Sequence, residues 1–281
     1  MAAALFKPVD NAPLIVFRIF FGFLMTCESF GAILTGWVKN VLVTPKFTFS
    51  FIGFEWLQPL PGNGMYFYFA VMGLLGIFIM LGYYYRTTAF LFAILWTGVY
   101  LMQKSAYNNH YYLVMLVGWL MALLPANKDI SLDCKWRNTA KETQMPNWII
   151  LLFIIQVSFV YVYAAIAKFY PDWLDGAFTR NLLWGSTNSP SVQSLFGQKW
   201  FYLFIAYAGI AFDLFIVPLL LFKKTRTIAL IASLVFHLFN AVTLQIGIFP
   251  FFALTFALFF YPSETSRKLF YPKNQKSNTQ P

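Results

Sequence analysis

Apolar runs alternate with polar connections about eight times along the chain. A helix of about 20 apolar residues crosses the hydrocarbon core of a bilayer. A membrane β-barrel would instead show alternating segments of about ten residues, which these long runs contradict. The predicted helices are Leu14–Leu34, Met65–Tyr84, Thr87–Met102, His110–Leu124, Trp148–Lys168, Phe201–Phe222, Thr227–Val242 and Ile248–Tyr261. The pattern predicts an all-α polytopic membrane protein with about eight transmembrane helices, and its short helices are the weakest members of that count. In the second helix, Gly73 and Gly76 are spaced to permit close packing.

The connections differ in character. Residues 35–64 form a long connection, and its aromatic part, Phe47–Trp56, is predicted to be an interfacial or re-entrant segment. Residues 126–147 are the most charged stretch of the interior. From Pro262 the chain is polar, and we expect it to be disordered. We therefore divide the chain into a transmembrane domain, residues 1–262, and a polar cytoplasmic tail, residues 263–281.

The charges are few and unevenly placed. Only 11% of residues are charged and 59% are hydrophobic, whereas a soluble domain carries about 25% charge. The N-terminus, the tail and the second, fourth and sixth loops hold about 13 Lys and Arg, and the other loops about five. Basic residues favour cytoplasmic loops, so we predict that both termini lie inside (N-in, C-in). The net charge of +10 then indicates membrane topology rather than nucleic-acid binding.

Ionisable side chains inside apolar runs are candidates for function by default. Six lie in or at the edge of such runs: Arg18, Glu28, His110, Lys168, Asp213 and His237. For Arg18 and Glu28 we favour a structural role, each pairing with a neighbouring helix. Asp213 faces either a basic partner or the basic turn at residues 223–226.

Lys168 ends the fifth run, within the stretch Tyr161–Trp173 (YVYAAIAKFYPDW). A charged side chain costs about 2.5–3.5 kcal/mol at the centre of a membrane helix on insertion scales. Pro171 stops the helix shortly afterwards. One interpretation is that Lys168 extends its ammonium group to the lipid headgroups and has no other role. The other is that it serves a site within the membrane.

Both histidines of the chain lie in apolar runs. His110 follows a pair of asparagines at a helix start, and His237 has Asn240 one turn further on. A lone buried histidine is more often a core residue with satisfied hydrogen bonds. Two histidines together with an intramembrane lysine suggest one polar site, and we hypothesise that Lys168, His110 and His237 meet in one cavity.

The candidate residues, a lysine and two histidines, are suited to acid–base chemistry rather than to metal binding or nucleophilic catalysis. The histidines lack the spacing of a zinc or di-iron site, and the sequence has no Gly-rich phosphate loop, nucleophile elbow or cysteine pair. Burial of a lysine favours its neutral amine, which can remove a proton from a phenol-like group. Within a membrane the obvious phenol is a lipid quinol.

Six segments in order resemble the membrane domain of vitamin K-dependent γ-carboxylases, the HTTM family. They are Asn11–Met25 (NAPLIVFRIFFGFLM), Pro59–Tyr66 (PLPGNGMY), Met80–Arg86 (MLGYYYR), Lys104–Leu113 (KSAYNNHYYL), Ala164–Gly176 (AAIAKFYPDWLDG) and Phe236–Phe251 (FHLFNAVTLQIGIFPF). Each segment alone is a weak match, but the six in order, from about residue 8 to 270, make a strong one.

The resemblance implies a role for each matched residue. Lys168 matches the base that deprotonates vitamin K hydroquinone, which then reacts with O2; the resulting strong base removes a γ-proton from peptidyl glutamate. The carbanion captures CO2 and the quinone leaves as its epoxide, without a metal. His110, with Asn109 before it, and His237 match histidines that orient or stabilise the quinol oxygens.

We expect other residues to complete such a site. Asn109 and Asn240 would donate hydrogen bonds. Tyr111, Tyr161 and Trp173 would form a slot for the quinone ring, vitamin K or menaquinol being the candidate co-substrates. For any single aromatic residue, packing or anchoring at the membrane interface is the more common role.

The sequence departs from the family pattern in two ways. Ala167 stands where the family has a second lysine before the base. The chain also ends about 20 residues past the last predicted helix, without the large extracytoplasmic domain that helps bind the protein substrate in carboxylases. The quinol half of the reaction is therefore better supported than carboxylation.

Two other functions stay open. A non-enzymatic accessory protein in peptide maturation or export would fit the missing domain, although retention of Lys168 and both histidines disfavours it. A quinone-linked oxidoreductase subunit of the DoxX-like type would need a partner carrying a redox centre. The expected partners are a lipid quinone and either a secreted peptide or a separate substrate-binding protein. The expected location is a bacterial inner membrane.

Overall fold

The structure, a computed structural model, describes residues 2–244 and 247–271 and is mostly helical, with one two-stranded sheet. In chain order the elements are α1 (Ala2–Leu5), β1 (Pro8–Asp10), α2 (Ala12–Leu34), a π-helix (Lys39–Val43), α3 (Gly64–Leu81), α4 (Tyr85–Met102), a 3₁₀-helix (Lys104–Ala106), α5 (Asn109–Leu123), α6 (Leu132–Trp136), β2 (Gln144–Pro146), α7 (Trp148–Ile166), α8 (Pro171–Leu174), α9 (Ala177–Gly185), α10 (Pro190–Phe196), α11 (Lys199–Leu221), α12 (Arg226–Leu244), α13 (Phe249–Thr255), a 3₁₀-helix (Phe256–Phe259) and α14 (Ser263–Phe270). The chain divides into two compact units, Met1–Asn147 with Ser263–Pro281, and Trp148–Pro262.

Each of the eight predicted segments is helical, which agrees with an all-α integral membrane protein. Among the described residues, five helices are long and apolar enough to cross a membrane: α2, α3, α7, α11 and α12. The helix α5 and the segment Phe249–Phe259 are apolar but shorter. The count of eight spans and the orientation of the termini stay predictions.

Glycines bring α2 and α3 into close contact in the first unit. A Cβ atom added to Gly73 would lie 2.6 Å from the ring of Phe30, and one added to Gly76 would lie 2.6 Å from Thr26 Oγ1. Both distances are far below normal carbon contacts, so only glycine allows this approach. The close packing predicted from the Gly73 and Gly76 spacing is confirmed.

The charged connection after α5 is held against the first unit by buried polar groups. Arg18 is fully buried, and its guanidinium donates to the carbonyl oxygens of Ala126 at 2.8 Å and Ile130 at 2.5 Å. Asp133, also buried, accepts the backbone N–H groups of Tyr84 at 2.8 Å and Tyr85 at 3.0 Å. Arg18 therefore has the structural role favoured from the sequence, but its short hydrogen bonds go to the backbone of a loop, and only a 3.4 Å bond to Met80 goes to the neighbouring helix α3.

The start of the expected tail is ordered, which corrects the expectation of disorder from Pro262. Ser263–Phe270 forms a helix, and Arg267 donates to Asp10 at 2.5 Å, to Asn11 at 2.9 Å and to Asp129 at 3.0 Å. Asp10 ends β1, which pairs antiparallel with β2. Long-range ion pairs thus order a segment whose composition alone favours disorder. Residues 272–281 of the expected tail lie outside the described residues.

The second unit is built around α7, which contacts α11 and the 3₁₀-helix Phe256–Phe259. Phe153 stacks on Phe259 with ring centroids 4.2 Å apart, and Phe212 of α11 stacks on Phe236 of α12 at 3.8 Å. Tyr161 of α7 also meets Phe212 edge-on at 5.8 Å, so aromatic contacts fix α7, α11 and α12 relative to one another. They therefore position the polar side chains that the three helices carry.

Candidate functional site

Lys168 lies two residues beyond the end of α7 and turns its side chain back along that helix. Its Nζ atom donates to the carbonyl oxygen of Ala164 at 3.2 Å and to Asp213 Oδ2 at 2.5 Å. The Lys168 side chain is 17% exposed and that of Asp213 only 3%. Because side chains of a helix lean towards its N-terminus, a lysine just past the end of α7 reaches inward rather than outward. Lys168 therefore has a buried carboxylate as partner.

This ion pair joins the segment just after α7 to α11. Asp213 is on α11, eight residues before that helix ends at Leu221. An ammonium and a carboxylate at this distance can exchange a proton, which leaves an amine facing a carboxylic acid. A proton that moves between the two groups leaves the net charge of the pair at zero, in an apolar region where an uncompensated charge is costly.

Trp173 covers the ion pair from α8. Its indole Nε1 donates to the carbonyl oxygen of Ala206 at 3.0 Å, and the ring stacks on Phe178 at 5.2 Å. The Lys168 Nζ atom lies 5.1 Å from the Trp173 ring centroid. This distance is within the range of a cation–π interaction. The indole is thus placed to stabilise the ammonium.

A second polar pair, Tyr161 with His237, lies in the same unit. The Tyr161 hydroxyl and His237 Nε2 are 2.9 Å apart, and both residues are buried. Which of the two groups donates depends on the tautomer of the imidazole. The rings of Phe212, Phe236 and Phe249 meet the imidazole edge-on, with centroids 5.9, 5.3 and 6.4 Å away. His237 therefore sits in an aromatic enclosure with a phenol as its polar neighbour.

Tyr161 lies on α7, and Lys168 follows just past the end of that helix on about the same side. Tyr161 and Lys168 are seven residues apart, about two helical turns, and so point the same way. Tyr161 also meets Phe212 edge-on at 5.8 Å, and Phe212 directly precedes Asp213. The second unit thus brings Lys168, Tyr161, His237 and Trp173 of the predicted site together with Asp213. Asn240 is half-buried one turn beyond His237 on α12.

The other predicted site residues belong to the first unit. His110 is half-buried in the first turn of α5. Asn109 accepts a hydrogen bond from the Tyr107 hydroxyl at 2.7 Å, and the Tyr111 hydroxyl donates to Glu28 at 2.8 Å. Because Lys168 and His237 are in the second unit, the hypothesis that they share a cavity with His110 stays a prediction.

The sequence left the partner of Asp213 undecided and predicted for Glu28 only that it pairs with a neighbouring helix, which the bond to Tyr111 of α5 confirms. Asp213 had either a basic partner or the turn at residues 223–226 as alternatives, and its partner is Lys168. Glu28 was assigned a structural role, and its bond to Tyr111 places it beside a cavity of the first unit. An acidic residue within an apolar run was the signal in both cases. Within residues 2–244 and 247–271, no three His, Cys, Asp or Glu side chains are grouped to hold a metal ion.

Comparison with known proteins adds one match. A family model described as "HTTM domain" matches residues 6–264, most of the chain. No solved structure matches the chain.

Proposed function

This chain belongs to the HTTM family, the domain of vitamin K-dependent γ-carboxylase-like proteins, and we propose that it oxygenates a lipid quinol to its epoxide. In the proposal, this oxygenation drives proton abstraction from peptidyl glutamate and its carboxylation. The observation that carries the proposal is the buried ion pair between Lys168 and Asp213 beside Trp173. A membrane protein gains little stability from such a pair, so a proton-transfer role accounts for it better.

The proposed first step is removal of a proton from a quinol hydroxyl. Lys168 can accept this proton only as a neutral amine. The ammonium would first pass a proton to the adjacent Asp213 carboxylate, which leaves that amine. After the transfer, the ammonium faces the quinolate oxygen and stabilises its negative charge in a site from which water is largely excluded. Lys168 is thus the base, and Asp213 sets its protonation.

The other residues of the second unit would orient the quinol. Which of His237 and Tyr161 donates and which accepts a hydrogen bond changes with the imidazole tautomer. This property would let the pair bind either the hydroxyl group of a quinol or the carbonyl oxygen of a quinone. Trp173 would cover the ring, and Asn240 would donate a further hydrogen bond. The roles of Asn109, His110 and Tyr111 of the first unit in holding the quinol remain predictions from the resemblance.

The overall reaction balances without a metal or a separate redox centre. The quinol loses two hydrogen atoms and O2 supplies two oxygen atoms, of which one enters the epoxide and the other leaves as water. At the glutamate, the γ-carbon loses a proton and forms a bond to CO2. The peptide would come from a secreted protein or be presented by a separate substrate-binding protein. The expected setting is a bacterial inner membrane.

Epoxide formation tests the proposal. The purified protein in nanodiscs is supplied with vitamin K hydroquinone or menaquinol under O2, with and without glutamate peptides and CO2, and epoxide is measured by mass spectrometry. We expect epoxide with the wild type and a loss of at least about 10²-fold with Lys168→Ala, because the base is removed. Lys224→Ala, which removes an exposed lysine of the same unit, is the matched control and should be normal. If folded wild-type protein forms no epoxide with either quinol, the proposal fails and a non-enzymatic accessory role is favoured.

A further inference from the structure

One buried side chain of the second unit has no hydrogen-bond partner, and the proposed chemistry does not use it. In the described part of that unit, residues 148–244 and 247–262, the Thr179 hydroxyl is the only buried side-chain oxygen or nitrogen without a partner. Thr179 is 2% exposed, so bulk solvent does not reach its side chain. Burying a hydroxyl without a hydrogen bond costs free energy, and folded proteins rarely keep such a group without a reason. The Thr179 hydroxyl is therefore available to a ligand.

The position of Thr179 in its helix explains why this hydroxyl is unpaired. A threonine inside a helix can donate to the carbonyl oxygen one turn back, as Thr97 and Thr243 do at 2.7 and 2.8 Å. Thr179 is only the third residue of α9, and Gly176, directly before that helix, has a left-handed backbone with φ 79°. The carbonyl group four residues before Thr179 therefore lies outside the helix, and its hydroxyl is left without this usual acceptor.

Two aromatic rings connect Thr179 to the Lys168 ion pair. The residue before Thr179 is Phe178, whose ring stacks on Trp173 with centroids 5.2 Å apart. The Trp173 centroid in turn lies 5.1 Å from Lys168 Nζ. The start of α9 is therefore tied to the proposed base through this stacked pair of rings.

The buried face of α9 packs on the helices that carry the other polar groups of the unit. Thr179 and Leu183 are the buried residues of α9, and they lie one turn apart on one side of it. Among the elements that α9 contacts are α8, α11 and α12. The packing is close where α9 starts, because a Cβ atom added to Gly176 would lie 2.5 Å from an aromatic ring of α11. Thr179 is therefore on the side of α9 that faces the helices of Asp213 and His237.

The surroundings of this hydroxyl define the class of ligand. A single uncharged group beside stacked aromatic rings suits a flat apolar ring that carries an oxygen at this point. A charged ligand would lack a counter-charge, since Lys168 and Asp213 already pair with each other. The ring of a quinol or a quinone has the required chemistry.

We propose that Thr179 binds the second oxygen of the quinol ring, the one that Lys168 does not deprotonate. This inference rests on the proposed function, because it takes the quinol as the ligand. The Thr179 hydroxyl accepts a hydrogen bond from the hydroxyl group of the quinol and donates one to the carbonyl oxygen of the quinone, since a hydroxyl can rotate to do either. Thr179 thus sets the affinity and orientation of the ring, while Lys168 remains the base.

Quinone binding tests the proposal without any turnover. The full-length protein in nanodiscs is titrated with menaquinone or vitamin K quinone, and binding is measured from the rise in the midpoint of thermal unfolding. Thr179→Val keeps the shape of the side chain and removes its hydroxyl, so we expect it to weaken quinone binding about tenfold, the effect of one hydrogen bond. Thr179→Ser should restore binding. Without quinone, the unfolding midpoint of Thr179→Val should equal or exceed that of the wild type, because the hydroxyl that it removes has no partner.

Thr255→Val is the matched control in the same unit. Thr255 is half-buried and donates to the carbonyl oxygen of Phe252 at 2.6 Å, so its loss should lower the unfolding midpoint and leave quinone binding unchanged. In the epoxide assay, Thr179→Val should raise KM for the quinol about tenfold and leave kcat nearly unchanged, because the base is retained.

The outcomes separate this inference from the proposed function. Quinone binding that depends on Thr179, in a protein that forms no epoxide, supports the inference and contradicts the oxygenation. Epoxide formation with a normal KM in Thr179→Val overturns the inference and leaves the oxygenation standing. A lowered unfolding midpoint of quinone-free Thr179→Val also overturns it, because the hydroxyl would then have a partner within the protein. Absence of quinone binding by the wild type overturns both.

Discussion

The ion pair between Lys168 and Asp213 makes the sharpest prediction, because substitutions can separate its effect on stability from the proposed role of Lys168 as a base. Asp213→Asn keeps the volume of the side chain and removes its charge. The Asp213 side chain is 3% exposed, so the lysine would be left beside a neutral amide in an apolar region. Removing one partner of a buried pair costs about 3–5 kcal/mol. Since Lys168 is 17% exposed and can reach water in part, we expect the low end, about 3 kcal/mol.

Unfolding in detergent micelles, followed by tryptophan fluorescence, measures this cost. Asp172→Asn is the matched control, because Asp172 is exposed and four residues from Lys168. The double variant Lys168→Met with Asp213→Leu should cost less than the sum of its single changes by about 2 kcal/mol, since neither charge is left unpaired. Additive costs would refute the ion pair.

Epoxide formation by a Lys168→Arg variant then tests whether Lys168 acts as a base or only as a positive charge. Lys168→Arg keeps the positive charge and the hydrogen bond to Asp213, but a guanidinium does not give up its proton. We expect near wild-type stability and a loss of epoxide formation of at least about 10²-fold. A stable Lys168→Arg variant with normal epoxide formation would refute the assignment of Lys168 as the base, and Lys168 would then act only through its charge.

Two further predictions concern the first unit. Gly76→Ala should destabilise it by about 1–3 kcal/mol in the same unfolding assay, because the new Cβ atom would overlap the facing helix, while Gly31→Ala, where no atom lies within 4 Å, should not. Burial disfavours the Asp129 carboxylate, but hydrogen bonds from Arg267, the neighbouring backbone and a lysine outweigh it and lower its pKa below the ordinary value. This carboxylate therefore stabilises the fold above about pH 4, and the stabilisation is lost as the pH falls through the lowered pKa. Asp129→Asn should cost about 2 kcal/mol at pH 7 and progressively less below about pH 4, as measured by unfolding across pH.

The helices could be predicted from sequence because their determinants are local. Long apolar runs mark each helix, and residues such as Gly82, in the left-handed conformation with φ 65°, end them. The partner of Lys168 could not be predicted, since Asp213 is 45 residues away and its direction depends on how α7 and α11 pack. The helix at Ser263–Phe270 was missed for the same reason. Its polar composition favours disorder, and contacts of Arg267 with Asp10, 257 residues away, order it.

A comparison of the buried cations shows why an intramembrane charge need not be functional. Arg18 is held by the carbonyl oxygens of Met80, Ala126, Asp129 and Ile130. A guanidinium keeps its proton and carbonyl oxygens do not accept one, so this arrangement can only hold a loop in place. Lys168 instead meets a side chain that can itself be protonated. Of these two cations, only Lys168 lies in a pair with two alternative proton positions, and the proposed deprotonation of a quinol would use that property. The chemistry of the partner, more than the depth of the charge, therefore distinguishes a cation that can exchange a proton from one that only holds a loop in place.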